Sequence, residues 1–314
     1  MVSYPMPAPP QSVPITTWSS LRGWAETHNL GAPRRLLDSP VAAYAIASKN
    51  GTMVLEIGSR EASWNGIYLT LGFAPQLIDG EVSLYGLDLQ KNLEPLLCEP
   101  PLEFATNRVI VIDPGHGGSN VGTHSVLDGR FEKEFTLDWA ERLKPLLKAE
   151  GWTVYLTRSS DTYVTNSSRV VFSDAHSADL FISLHFNSGA PDNTQAGLET
   201  YCLTPTGMPS TISRGNYADP WNERLPNNSF DAQNLRLAVR VHATLQHAMG
   251  MQDRGVRRAR FIEVLRGQRR PAILIEAGYL SNPHEASLIE SEAYRQKLAA
   301  ALAAALKPEN ENPK

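Results

Sequence analysis

Between residues 108 and 307 the chain alternates short apolar runs with stretches of helical period, and this rhythm restricts the fold more than any other feature. Arg108–Asp113 (RVIVID), Leu180–His185 (LFISLH) and Pro271–Glu276 (PAILIE) are nearly continuous apolar runs, the pattern of strands buried on both faces. Thr153–Thr157 and Leu198–Leu203 add two more strands. From Glu132 onward Trp139, Ala140, Leu143, Leu146 and Leu147 fall on one helical stripe, which Gly151 ends. Ser167–His176, Leu235–Met249 and the Ala/Leu-rich Glu290–Leu306 read as further helices. Strand–helix–strand repetition predicts an α/β domain: a mostly parallel twisted sheet flanked by helices.

Residues 15–98 follow another habit and predict a smaller N-terminal α+β domain. Trp18, Leu21, Trp24 and Ala25 recur at helical spacing, ahead of β-like stretches at Val41–Ala47, Thr52–Ile57, Ile67–Leu71 and Val82–Tyr85. Asn50-Gly51 and Asn65-Gly66 are hairpin-turn signals. Residues 1–14, with five prolines, read as a disordered leader that lacks the basic and apolar regions of a secretory signal. Residues 99–107, with Pro100 and Pro101, form the linker, and 308–314 is a polar tail.

Charge and cysteine content exclude several classes. With 29 basic and 33 acidic side chains and no basic stripe, binding to nucleic acid by phosphate neutralisation is not expected. No run approaches the ~18 apolar residues of a membrane span. Two cysteines, Cys98 and Cys202, cannot build a Cys-rich zinc site, so any metal falls to His and carboxylates. A disulfide between them is permitted outside the cytoplasm and does not follow from the sequence.

Open α/β sheets gather their chemistry at the carboxyl ends of strands. Past three strand ends lie Asp113-Pro114-Gly115-His116-Gly117-Gly118, His185-Phe186-Asn187-Ser188 and Glu276-Ala277-Gly278-Tyr279. His116 alone would be a histidine in a tight turn. His185 ends an apolar strand and needs a partner for each ring nitrogen, which a metal supplies. A third ligand should be a carboxylate or His. Glu132 and Glu134 both open the next helix, where the helix dipole alone favours an acid. Two His and one carboxylate form a catalytic zinc set that leaves a position for water. Glu276 is the general-base candidate, because a carboxylate ending a buried strand is costly unless a partner or a function keeps it there. The competing reading is a salt bridge to Arg269 or Arg270. His28, His124, His176, His242, His247 and His284 lack a second ligand at convincing spacing.

At this point four motifs carry a resemblance. Ile112–Gly118, Glu132-Lys133, Ala178–Ser188 and Glu276–Pro283, in that order, closely resemble the zinc-dependent N-acetylmuramoyl-L-alanine amidases of bacterial cell-wall turnover, over about residues 108–307. Leu156-Thr157-Arg158, Arg169, Gly255-Val256, Phe261 and Val264-Leu265-Arg266 are similar to the family as well. The resemblance implies hydrolysis of the amide between the lactyl group of N-acetylmuramic acid and the L-Ala of the stem peptide. It implies Zn2+ held by His116, Glu132 and His185, with Glu276 as catalytic base. Glu132 is preferred to Glu134 because Glu132-Lys133 matches the family's step. Asn187 matches its His-x-Asn step and is expected near the substrate, with Arg266 as a further contact; Trp221, in a loop that departs from the family, is also expected to bind substrate. The implied partner is peptidoglycan or muropeptides, and the implied location periplasmic or extracellular, with the signal removed.

Residues 205–229 look longer than the family needs. Tyr217, Trp221, Asn222, Arg224, Asn227 and Asn228 there suit stacking and hydrogen bonding to sugars, so a substrate-binding flap or a solvated insertion is expected. In the N-terminal half, Leu55–Gly66, Pro75 and Val82–Leu87 are similar to the stalk domain found near the start of copper amine oxidases, which implies a targeting or spacing module with room for a protein partner. A zinc peptidase or deacetylase with the same ligands is the nearest rival. A non-catalytic wall-binding protein is a further one, which the presence of Glu276 disfavours.

Overall fold

The computed structural model describes residues 17–37, 41–100, 102–104, 108–213 and 215–307. The leader at 1–14, the tail at 308–314 and part of the linker lie outside the described residues. The chain forms two compact units, Met1–Gly66 with Leu71–Pro100, and Ile67–Thr70 with Pro101–Lys314.

In the first unit β1 (Trp18–Ser20) leads into α1 (Leu21–Thr27), followed by β2 (Arg34–Leu37), β3 (Ala43–Ser48), β4 (Gly51–Glu56) and β5 (Glu61–Trp64). The next strand, β6 (Ile67–Thr70), belongs to the second unit. The first unit resumes with β7 (Gln76–Ile78), β8 (Glu81–Tyr85), α2 (Gly86–Asp88), a π-helical turn at Leu89–Leu93 and α3 (Glu94–Leu97). Strands β2 to β5 form an antiparallel meander, and the Asn50-Gly51 signal falls in the β3–β4 hairpin, where Ser48 faces Gly51. The helix expected from Trp18 starts later. Ser20 caps it by accepting the Gly23 N–H at 3.3 Å, and Trp18 instead pairs with Tyr85 in a three-stranded sheet.

The second unit comprises β6, β9 (Val109–Pro114), α4 (Glu132–Ala149), β10 (Thr153–Leu156), α5 (Asn166–Ala175), β11 (Leu180–Asn187), β12 (Leu198–Cys202), α6 (Asp231–Met249), β13 (Asp253–Arg258), α7 (Glu263–Arg266), β14 (Ala272–Tyr279), α8 (Pro283–Glu290) and α9 (Glu292–Ala305). Its sheet runs β10-β9-β11-β14-β12-β13-β6. Every neighbouring pair is parallel except β14 with β12. Both faces of β11 are covered, as its unbroken apolar run requires. Phe181 joins a buried cluster with Val264 and Leu265 of α7 and Phe172 of α5, while Phe186 meets Trp139 of α4 at 5.6 Å between ring centroids.

One element carried no apolar signal, while Ile67–Leu71, expected in the N-terminal domain, supplies β6 of the second unit. Strand β13 (DRGVRR) is charge-rich, and two of its charges are matched by neighbours: Asp253 meets the buried His242 of α6 at 2.9 Å, and Arg254 meets Glu199 of β12 at 3.1 Å. Strand β6 is only four residues long, and its Leu69 pairs with Val256 of β13. Cys98 and Cys202 are both free thiols. Among the described residues no helix is long and apolar enough to cross a membrane.

Candidate metal centre and cleft

The site is built where β9 and β11 end. Asp113, buried at the end of β9, ion-pairs with Arg169 of α5 and accepts from Ser183 Oγ at 2.7 Å. Arg169 also donates to the carbonyls of Pro114 at 3.0 Å and His116 at 2.7 Å. Buried Arg158 donates to the carbonyls of Pro114 at 3.0 Å, Gly115 at 2.8 Å and Lys133 at 2.7 Å. Lys133 in turn reaches the Gly118 carbonyl at 3.0 Å and Asp161 at 2.6 Å. These cations hold His116 at φ +63°, a left-handed conformation that costs an L-residue and persists only where its surroundings fix it.

Three side chains then converge. His116 Nε2 lies 3.0 Å from Glu132 Oε2, and His185 Nδ1 lies 2.9 Å from Glu132 Oε1. Burial pushes the Glu132 carboxyl up, but hydrogen bonds from His116 and His185 outweigh it and bring the group down to about 2. Backbone N–H groups of Thr123 and Phe186 donate to the two carboxylate oxygens at 3.0 and 3.1 Å. Glu134 does the other work weighed for an acid here: it accepts the Phe131 N–H at 3.1 Å and caps α4.

The arrangement fits a metal. One ligand atom from each of His116, Glu132 and His185 falls within 4.8 Å of the others, a triangle that one ion can bridge. Two imidazoles and a carboxylate are the donor set of catalytic zinc sites. The Asn120 side-chain carbonyl lies 2.8 Å from His116 Nδ1, an outer contact that fixes the ring and leaves Nε2 facing the ligand group. Two glycines keep the cradle open. A Cβ on Gly115 would come within 2.3 Å of the His185 ring, and one on Gly122 within 2.4 Å of Glu132 Oε2.

The ligands open into a cleft of about 880 Å³. Glu276 lines it from β14, where it is in register with His185 of β11 on one side and Glu199 of β12 on the other. Arg270, one candidate partner for Glu276, is ion-paired with Asp174. Asn187 lines the cleft and donates to Glu199 at 3.0 Å. Arg266 and Trp221 are not among the residues that line it: Arg266 faces Glu223 at 3.6 Å, and the Trp221 carbonyl closes a loop by accepting from Gly207 at 2.7 Å. The amides Asn227 and Asn228 are buried and spent inside the protein, on the carbonyls of Arg270 at 2.8 Å and Thr204 at 2.9 Å.

Sequence reasoning missed a polar cluster on the cleft wall. Buried Glu199 accepts from Asn187, from Tyr201 at 2.7 Å and from Arg254 at 3.1 Å. Burial beside that carboxylate keeps the Tyr201 hydroxyl protonated. The available signal was a glutamate inside the otherwise uncharged run LETYC.

A two-His, one-Glu centre with half-buried imidazoles and a buried carboxylate, at the strand ends of an α/β sheet, defines the class as a candidate metallohydrolase. Residues 110–308 match the family described as N-acetylmuramoyl-L-alanine amidase, and the chain belongs to that family of cell-wall amidases. It is 30% identical over 216 residues to the N-acetylmuramoyl-L-alanine amidase AmiA of Escherichia coli (strain K12), covering 62% of this chain and 74% of the relative. It is 33% identical over 201 residues to the probable cell wall amidase LytH of Staphylococcus aureus, covering 64% of this chain and 57% of the relative. Among solved structures, it is similar to an N-acetylmuramoyl-L-alanine amidase from Clostridium difficile 630, with a TM-score of 0.53 and 32% identity over 64% of this chain and 96% of that one.

Proposed function

We propose that this cell-wall amidase is zinc-dependent and cuts the amide between the lactyl group of N-acetylmuramic acid and the L-Ala of the stem peptide. The observation that carries the reading is the His116–Glu132–His185 triangle opening into the same cleft as Glu276. Zinc, when bound, polarises a carbonyl and makes a bound water acidic near neutral pH. His116, Glu132 and His185 would hold it. Glu276 takes the proton of the attacking water and returns it to the leaving amine. Asn187, fixed by Glu199, offers its amide to the substrate beside that step. Because the polymer lies outside the cytoplasmic membrane, the enzyme acts in the periplasm or beyond the cell. The first unit serves as a targeting or spacing module that touches wall polymer or a protein partner.

Digestion of purified sacculi with and without a chelator, read by mass, tests the bond and the metal together. The expected products are stem peptides with a free L-Ala amine, lost on chelation and restored by zinc. Release of free D-amino acids would identify a peptidase, and release of acetate a deacetylase.

A further inference from the structure

Among its described residues the segment 205–221, which follows β12, contains neither helix nor strand, yet a single side chain ties it together. Arg260, just past β13, has 0% of its surface exposed. It donates to the Met208 carbonyl at 2.9 Å, to Asp219 Oδ1 at 3.1 Å, to the Trp221 carbonyl at 3.1 Å and to the Pro205 carbonyl. One guanidinium therefore grips the beginning, middle and end of the loop. Asp219 returns the grip by accepting the Ser210 N–H at 2.6 Å and the Ser210 hydroxyl at 3.1 Å. Next to it, the Thr211 N–H donates to the Arg258 carbonyl at 2.8 Å, and Thr211 Oγ1 accepts the Arg258 N–H at 2.9 Å. A buried cation is expensive, and here both terminal nitrogens of Arg260 are spent on the loop while its Nε has no hydrogen-bond partner among the described residues, so the bonds that offset the burial fix the loop's geometry.

The fixed residues reach the cleft. Ile212 follows Thr211 and packs against the apolar cluster with Phe261 and Ile262, and all three line the cleft. Tyr217 meets Phe261 edge-on, with ring centroids 6.1 Å apart. The cleft is therefore asymmetric: imidazoles and carboxylates on the metal side, and, where the loop closes it, the carbon of Ile212, Phe261 and Ile262 beside Ser213 and Glu263.

We propose that this loop is a specificity wall. Ile212, Phe261 and Ile262 form an apolar shelf for the small apolar side chains of the stem peptide, and Arg260, acting through Asp219, is the positioning residue that sets the shelf. A glycan presents hydroxyls, which such a shelf would leave unpaired, whereas alanine presents methyl groups that lose nothing on burial there. The inference rests on the amidase reading.

The test uses the full zinc-loaded chain, with Ile212→Ser and Asp219→Asn, on a soluble muropeptide and on its analogue with serine in place of the first stem alanine. We expect the wild type to prefer alanine. In both variants KM for the alanine substrate should rise about fivefold or more, with kcat within about twofold and zinc content unchanged. The preference for alanine over serine should shrink accordingly. An unchanged KM, a fall in kcat at wild-type KM, no alanine preference in the wild type, or a KM effect that follows glycan length would each overturn the shelf. Ile212→Ser, at a partly exposed position, keeps the test decisive if Asp219→Asn folds poorly. Failure of the wild type to cleave the muropeptide would instead strike the amidase reading itself.

Discussion

The two walls of the cleft are built by opposite means. On the metal wall the backbone is bent to suit the ligands: His116 is held at positive φ, Gly115 and Gly122 give up their side chains, and Arg158 and Arg169 clamp the turn from beneath. On the loop wall the described backbone is neither helix nor strand, and Arg260 holds it through carbonyls scattered over seventeen residues of sequence. The first wall draws on cations 43 and 53 residues from the carbonyls they hold, yet its ligands lie in recognisable strings. The second depends on a cation about forty to fifty-five residues away. Both rely on a buried arginine bonded to main-chain oxygen, which ties backbone position to a group that cannot lose its charge at ordinary pH.

The comparison can be broken most severely at Glu276. Glu276→Gln keeps size and shape but removes the base, and should lower kcat by about 10²–10⁴-fold with zinc retained, as measured by turnover and metal analysis. Hydrolysis at the wild-type rate would remove Glu276 from the chemistry. The metal wall alone is probed by Gly115→Ala. The added methyl meets the His185 ring, so metal affinity should fall by about 10–100-fold in a competition titration. An unchanged affinity would show that the ring can move at no cost to the site.

The smallest effect sharpens the contrast between site and scaffold. Burial raises the Asp253 carboxyl, but hydrogen bonds from His242 and from the Tyr68 and Gly255 N–H groups outweigh it and leave the group below its ordinary value. A carboxyl depressed in the folded state contributes stability above its unfolded pKa of about 3.9 and loses it as pH falls through the folded value. Asp253→Asn should therefore lower stability by about 1–3 kcal/mol at neutral pH and flatten the acid limb of a melting curve. Parallel acid limbs in the two proteins would contradict this.

Much of the α/β rhythm was legible because buried strands must be apolar and their helices amphipathic. RVIVID, LFISLH and PAILIE are strands β9, β11 and β14, and the stripe from Glu132 is α4. Strand β13 was not legible, since the partners of Asp253 and Arg254, His242 and Glu199, lie on separate elements of the chain. The same limit hid Glu199, whose neighbours in the cleft come from β11, β12 and β13. It also misdirected the loop: Asn227 and Asn228 suit a sugar by chemistry, yet both are consumed as buried anchors.

The sequence by itself determined which residue types stand at the strand ends, because glycine turns, a histidine after an apolar strand and an acid at a helix start are local requirements of backbone and burial. Tertiary structure decided which acid turns inward, Glu132 to the histidines and Glu134 to the helix cap, since the two lie two residues apart on one turn and only packing distinguishes their faces. It also decided that the long loop is a wall. A guanidinium finds its carbonyl partners through space, and nothing in the order of residues announces where they will be.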